Sequence, residues 1–145
     1  MILEKAKQFY EQFMHMNQHE LFSLLSDDFT ARIIVNNNDA EADYTKETFI
    51  AMMSKNHFGN ILKVEELTET TYRLTNTGVE IQFCLLQARQ GRGFLESGKG
   101  EYKLTGTMSL TFDANEKIQH YNATYTKELE KTLEASDSVE CAQIC

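Results

Sequence analysis

A chain of 145 residues is long enough for one domain that buries roughly two-thirds of its unfolded surface without disulfide or metal staples, and too short for a second core. Its 41% hydrophobic and 25% charged residues are those of a globular protein, and a formal net charge of −8 with no cluster of Lys and Arg argues against nucleic acid or an anionic membrane as partner. No apolar run has the length of a membrane span, and the opening Met1-Ile2-Leu3-Glu4-Lys5 lacks the basic and apolar regions of a signal peptide, so a cytoplasmic location is expected.

Residues 3–16 are predicted to form an amphipathic helix. Ala6, Phe9, Phe13 and Met16 recur at three- and four-residue spacings, with Tyr10 and Met14 flanking the stripe. A short second helix over 19–25 carries Leu21, Phe22, Leu24 and Leu25 and ends at Ser26-Asp27-Asp28. Residues 29–35 read as a strand, followed by a loop at Asn36-Asn37-Asn38-Asp39, whose side chains favour turns. A third helix is predicted over 46–56, with Thr45 as N-cap, Phe49, Ile50, Met53 and His57 on its buried face, and Gly59 stopping it.

Residues 61–75 are β-rich and end at the turn signal Asn76-Thr77-Gly78. Residues 79–88 then alternate Val79, Ile81, Phe83 and Leu85 against Glu80, Gln82, Cys84 and Leu86. A loop over 89–100 holds four of the seven glycines. The longest feature is a hairpin. Its first arm places Met108, Leu110 and Phe112 on one face, its turn is Asp113-Ala114-Asn115-Glu116, and its second arm, 117–125, places Tyr121, Ala123 and Tyr125 together. Residues 126–135 are expected to continue as a polar helix and 136–145 to be loose. Helices gathered on one face of a mainly antiparallel sheet give an α+β domain over 1–126 with a polar tail at 127–145.

That order of elements, with Ser26-Asp27-Asp28-Phe29-Thr30 after two helices and Phe112-Asp113-Ala114-Asn115-Glu116-Lys117-Ile118-Gln119 in the last hairpin, resembles the nuclear transport factor two-like superfamily. Within it the chain is most similar to the SnoaL-like and ketosteroid isomerase-like branch, over roughly residues 3–126. The resemblance implies a cystatin-like fold: a curved antiparallel sheet wrapped as a cone on three N-terminal helices, an apolar pocket between them, and a homodimer through the outer sheet face. A small hydrophobic ligand is expected in that pocket, and no cofactor. Tyr10 falls where the family's isomerases carry an oxyanion tyrosine on the first helix. Their catalytic base and protonated acid fall here at about Ile33 and Met108, neither of which can transfer a proton.

The candidate ligand-binding residues are therefore Tyr10, Met14, Phe29, Ile33, Met53, Phe83, Met108, Tyr121 and Tyr125, with Phe13, Phe49, Leu85 and Leu110 in the same lining. The same side chains would also fill a closed core, since burial alone stabilises each Phe or Met by about 1.5–3 kcal/mol. Three phenols that need hydrogen-bond partners favour a cavity with some polar lining. A binding domain without the isomerase carboxylates is the leading expectation. The alternatives are an isomerase, cyclase or hydratase acting on a ring-containing substrate through His57 or Tyr10, and a dimeric association module whose outer face carries Ile118 and Leu86.

Other patterns carry less. His15 and His19 have a metal-compatible spacing, but Asn17-Gln18 breaks the helix between them and no third ligand is placed, so no metal is expected. The run from Gly93 to Gly100 has the outline of a phosphate loop without its Ser or Thr, and it joins two strands. It reads as a hairpin tip, or as a flap bearing Arg92 and Lys99. His120 is expected on the outer sheet face. Cys84, Cys141 and Cys145 are odd in number and expected to be reduced thiols.

Overall fold

The structure is a computed structural model that describes residues 1–37, 40–59, 61–89 and 100–132, with the backbone alone at 40, 41, 56, 57, 131 and 132. The phosphate-loop look-alike and the two C-terminal cysteines lie outside the described residues.

Helix α1, Ile2–Met14, buries Ala6, Phe9, Tyr10 and Phe13 on one stripe. It stops two residues before the apolar periodicity does, because Met16 takes a left-handed conformation (φ 59°) and turns the chain into α2, Gln18–Ser23. His15 and His19 thus sit on either side of a break. Strand β1, Leu25–Val35, starts where the second helix was expected to finish. The polar trio that looked like a helix terminator is part of the strand. The Leu24 carbonyl accepts from the Ile118 amide at 2.9 Å, and Asp28 accepts from Ser26 Oγ at 2.8 Å and Gln119 Nε2 at 2.9 Å, so the polar groups find partners without a turn.

Strand β2, Ala40–Thr45, pairs antiparallel with β1, and Arg32 meets Asp43 across them at 3.2 Å. Nothing in its acidic sequence reads as a strand. Its end caps α3, Lys46–Met52. The Thr48 amide donates to Thr45 Oγ1 and the Thr45 amide donates back to Thr48 Oγ1 at 2.8 Å, a reciprocal arrangement that satisfies two helix-end donors. The predicted helix continues past Met52 only as a single π-turn, Met53–His57.

Strands β3 (Ile61–Glu66), β4 (Thr71–Leu74), β5 (Gly78–Arg89), β6 (Gly100–Phe112) and β7 (Ile118–Thr132) complete the domain. The sheet order is β2-β1-β7-β6-β5-β3, with β4 also paired to β5. Every pairing is antiparallel except β1 with β7, so the sheet is mixed. Curvature brings α1 against β5 and α3 against β1 and β2. Gly106 sits where β6 and β7 approach closely: a Cβ there would lie 2.2 Å from the Thr124 carbonyl oxygen and 2.5 Å from Tyr125 Cα. Tyr121 packs between the two helices, with ring centroids 5.5 Å from Phe9 and 5.6 Å from Phe49, and Phe29 lies 5.0 Å from Phe49.

Two expectations for the last strand are corrected. Residues 126–132 are not helical; they continue β7, with Lys127 opposite Leu104 and Leu129 opposite Tyr102. Ile118 is fully buried instead of facing outward. The register slips by one residue between Thr111 opposite His120 and Phe112 opposite Ile118, a bulge at Gln119 that lets Ile118 and Tyr121 both face the core although three residues apart. His120 does face outward, with Nδ1 2.7 Å from Thr30 Oγ1. Among the described residues no helix is long and apolar enough to cross a membrane.

Candidate functional site

Between the helices and the concave face of the sheet lies a cavity of about 60 Å³. Its apolar wall comes from Phe13 of α1, Ile33 of β1, Met52 of α3, Met53 at the π-turn, Phe83 of β5, and Leu104 and Met108 of β6. Alternation explains the strand contributions, since every second residue of a strand points the same way. On β7 it brings in the phenols Tyr121 and Tyr125, two turns of the pleat apart.

Six of the nine predicted ligand-binding residues meet at this cavity: Ile33, Met53, Phe83, Met108, Tyr121 and Tyr125. The other three are packed beside it. Phe29 is held against Phe49, and Met14 is half-buried against the core. Tyr10 is buried too, with its ring 6.3 Å from Tyr72 and its hydroxyl 3.2 Å from Thr70 Oγ1, which is also hydrogen-bonded to Glu66. Its phenol is thus engaged on the β4 side. The side chain of His57 lies outside the described residues.

Sequence reasoning missed the polar end. Gln87, Arg89 and Lys127 also line the cavity; the register sets Gln87 opposite Tyr102, Arg89 opposite Gly100, and Lys127 opposite Leu104, which in turn faces Leu85. The signal was present: Gln87 and Arg89 continue the inward series Phe83, Leu85, and Lys127 continues Tyr121, Ala123, Tyr125. Their polarity made the two runs look finished. Arg89 is buried and donates from Nη1 to Gln87 Oε1 at 3.3 Å. The Lys127 ammonium stands 5.1 Å over the Tyr102 ring, and its backbone amide donates to Asn36 Oδ1 at 2.8 Å.

Burial governs the protonation of these groups. It pushes the Tyr121 and Tyr125 phenols up, with the Arg89 charge opposing it at Tyr125, so both remain hydrogen-bond donors at neutral pH. Burial pulls Lys127 down to about 8, and the nearby Arg89 charge pulls the same way. Arg89 is also lowered by burial. No carboxylate stands among the described lining residues, and no group of three His, Cys, Asp or Glu side chains with metal-binding geometry occurs among the described residues.

The mixed, curved sheet closed by N-terminal helices over this cavity is an α+β fold, and solved structures described as SnoaL-like and NTF2-like proteins share it. No protein-family sequence model matches the chain, and no curated protein is similar to it in sequence. Solved structures carry the likeness. A protein described as a SnoaL-like polyketide cyclase from Shewanella denitrificans is 14% identical with a TM-score of 0.66, covering 99% of this chain and 97% of that one. A polyketide cyclase by description from Pseudomonas putida is 16% identical at a TM-score of 0.66, covering 94% of each chain. A Mycobacterium tuberculosis protein in complex with estradiol-17β-hemisuccinate is 13% identical at 0.59, covering 84% of this chain and 91% of that one.

Proposed function

We propose that the chain binds a small, largely apolar molecule in this cavity and does so without the carboxylate acid–base chemistry of the ketosteroid isomerases. The observation that carries the reading is that Ile33 and Met108, which stand where the isomerase resemblance puts its base and its acid, both line the cavity. An aliphatic side chain and a thioether can shape a ligand there but cannot move its protons. Tyr121 and Tyr125 supply donors to a carbonyl or hydroxyl, as a mostly apolar site with a few convergent polar groups requires. The estradiol ester held by the Mycobacterium tuberculosis protein, and a structurally similar designed binder of 17-OHP, support a ligand of this general character.

At about 60 Å³ the cavity is smaller than the roughly 300–1,000 Å³ of sites for drug-sized ligands. A steroid would enter only as Met52, Met53 and Met108 move, and flexible thioethers suit that. The test is a titration with estradiol and with phenol, followed by the methyl resonances of the three methionines. Saturable shifts at Met53 and Met108 are expected. A cavity that takes up neither compound is a packed core, and the reading falls.

A homodimer through the outer sheet face belongs to the same reading. With Ile118 buried, that face offers Leu86 among hydroxyl-bearing residues such as Thr105, Thr107 and Thr124. Sedimentation giving a monomer removes this part. A cytoplasmic setting is also part of it, supported by the free thiol of Cys84.

A further inference from the structure

We propose that Tyr121 and Tyr125 form a two-point donor pair along β7, selecting an apolar ligand that carries two carbonyl acceptors set apart along its body. The proposal rests on the reading of the cavity as a binding site and names the chemistry that the site selects.

Three phenols are packed between the helices and the sheet, and their hydroxyls have different surroundings. Tyr10 has Thr70 Oγ1 at 3.2 Å. The hydroxyls of Tyr121 and Tyr125 have no hydrogen-bond partner among the described residues, although both side chains line the cavity and Tyr121 is only 6% exposed. A buried donor left unpaired bears the cost of its lost water, and native interiors pair nearly all of theirs. Two such donors opening on one cavity mark where a ligand's acceptors belong. Gln87 points the same way: its Oε1 accepts from Arg89 Nη1 at 3.3 Å, so its amide N–H groups are what remain to face a ligand. With no carboxylate among the described lining residues, the ligand brings the acceptors.

The sheet sets the two phenols at different depths. Tyr121 lies opposite Leu110, and Tyr125 lies opposite Gly106. Phe83 faces Gly106 from the other side. With no side chain between them, the Phe83 and Tyr125 rings approach across the glycine, centroids 6.3 Å apart. Tyr121 is held instead between Phe9 and Phe49. The two phenols are four positions apart on one strand, about 13 Å of backbone. An apolar body with an acceptor towards each hydroxyl answers both, whereas a single acceptor answers one.

The experiment compares dimethyl adipate with methyl hexanoate, which share a six-carbon chain and differ in the second ester, by calorimetric titration of the whole chain. A cavity that is only apolar prefers the monoester, because the second ester must leave water. The donor pair reverses that order: the diester is expected to bind at least about threefold more tightly, within the range of one net hydrogen bond. Tyr121→Phe and Tyr125→Phe should each remove most of this advantage. They keep the ring and delete a hydroxyl that has no internal partner, so their urea midpoints should equal or exceed that of the native chain. A lowered midpoint in either variant means that the phenol is bonded within the protein, and overturns the pair. So does a diester advantage that survives undiminished in either variant. Equal or weaker binding of the diester, or uptake of phenol but of neither ester, overturns the pair while leaving the cavity reading intact. Binding of neither ester, with no response to estradiol or phenol, ends both.

Discussion

The two ends of the cavity were built by different rules. Around Ile33, Phe83 and Met108 the wall is apolar side chain on apolar side chain, and each residue is inside because water is a worse place for it. Gln87, Arg89 and Lys127 are polar side chains that line the same cavity because they continue the inward alternation of β5 and β7. An apolar wall tolerates many shapes of ligand. This contrast gives the experiments their order.

The largest effect should come from disturbing the sheet that carries both ends. Gly106→Val places a side chain against the Thr124 carbonyl and the Tyr125 backbone, which have nowhere to move, so a loss of about 4 kcal/mol or outright failure to fold is expected in urea denaturation. Next is the apolar end alone. Phe49→Ala removes a fully buried ring that touches Phe29 and Tyr121, and should cost about 3–5 kcal/mol. If it costs under about 1 kcal/mol, the helix α3 side of the cavity is not packed as described.

Alkaline pH should then separate Lys127 from the buried tyrosines by sign. Lys127 is pulled from 10.5 in the unfolded chain to about 8, so between those values the unfolded chain binds more protons and stability rises with pH. Tyrosines behave oppositely. Tyr72 is pushed up to about 12 by burial, with smaller contributions from Tyr10 and Glu66, and Tyr121 and Tyr125 are raised by burial. Their stabilisation is complete below pH 10, the unfolded value, and is lost as pH climbs through their folded values. Denaturation midpoints measured across this range should rise and then fall, and Lys127→Met should abolish the rise while keeping the fall. A monotonic decline in the native chain would mean that Lys127 is solvated. The smallest effect calibrates the rest: Thr45→Ala opens the capping arrangement of α3 and should cost about 1 kcal/mol without changing the pH profile.

The apolar end was legible because its residues obey their own chemistry: the stripe on α1, the alternation from Val79 to Leu85, and the shared face of Tyr121 and Tyr125 each name a buried side. Where the chain turns against local preference the reading failed. Ala40–Thr45 is acidic and became a strand because β1 presented an edge to it. Ser26-Asp27-Asp28 looked like a helix stop and lies in β1, its polar atoms answered by a strand distant in sequence. The parallel pairing of β1 with β7 is likewise invisible locally, since it joins segments some ninety residues apart.

What the amino-acid order determined unaided is the set of amphipathic elements and the faces they hide, because hydrophobic burial at period 3.6 or 2 acts residue by residue. What tertiary structure alone decided is register: the bulge that turns Ile118 inward, and the pairing of β5, β6 and β7 that lets Gln87, Arg89 and Lys127 line one cavity. Register is a property of two strands together, and a shift of one residue exchanges the faces of every side chain beyond it.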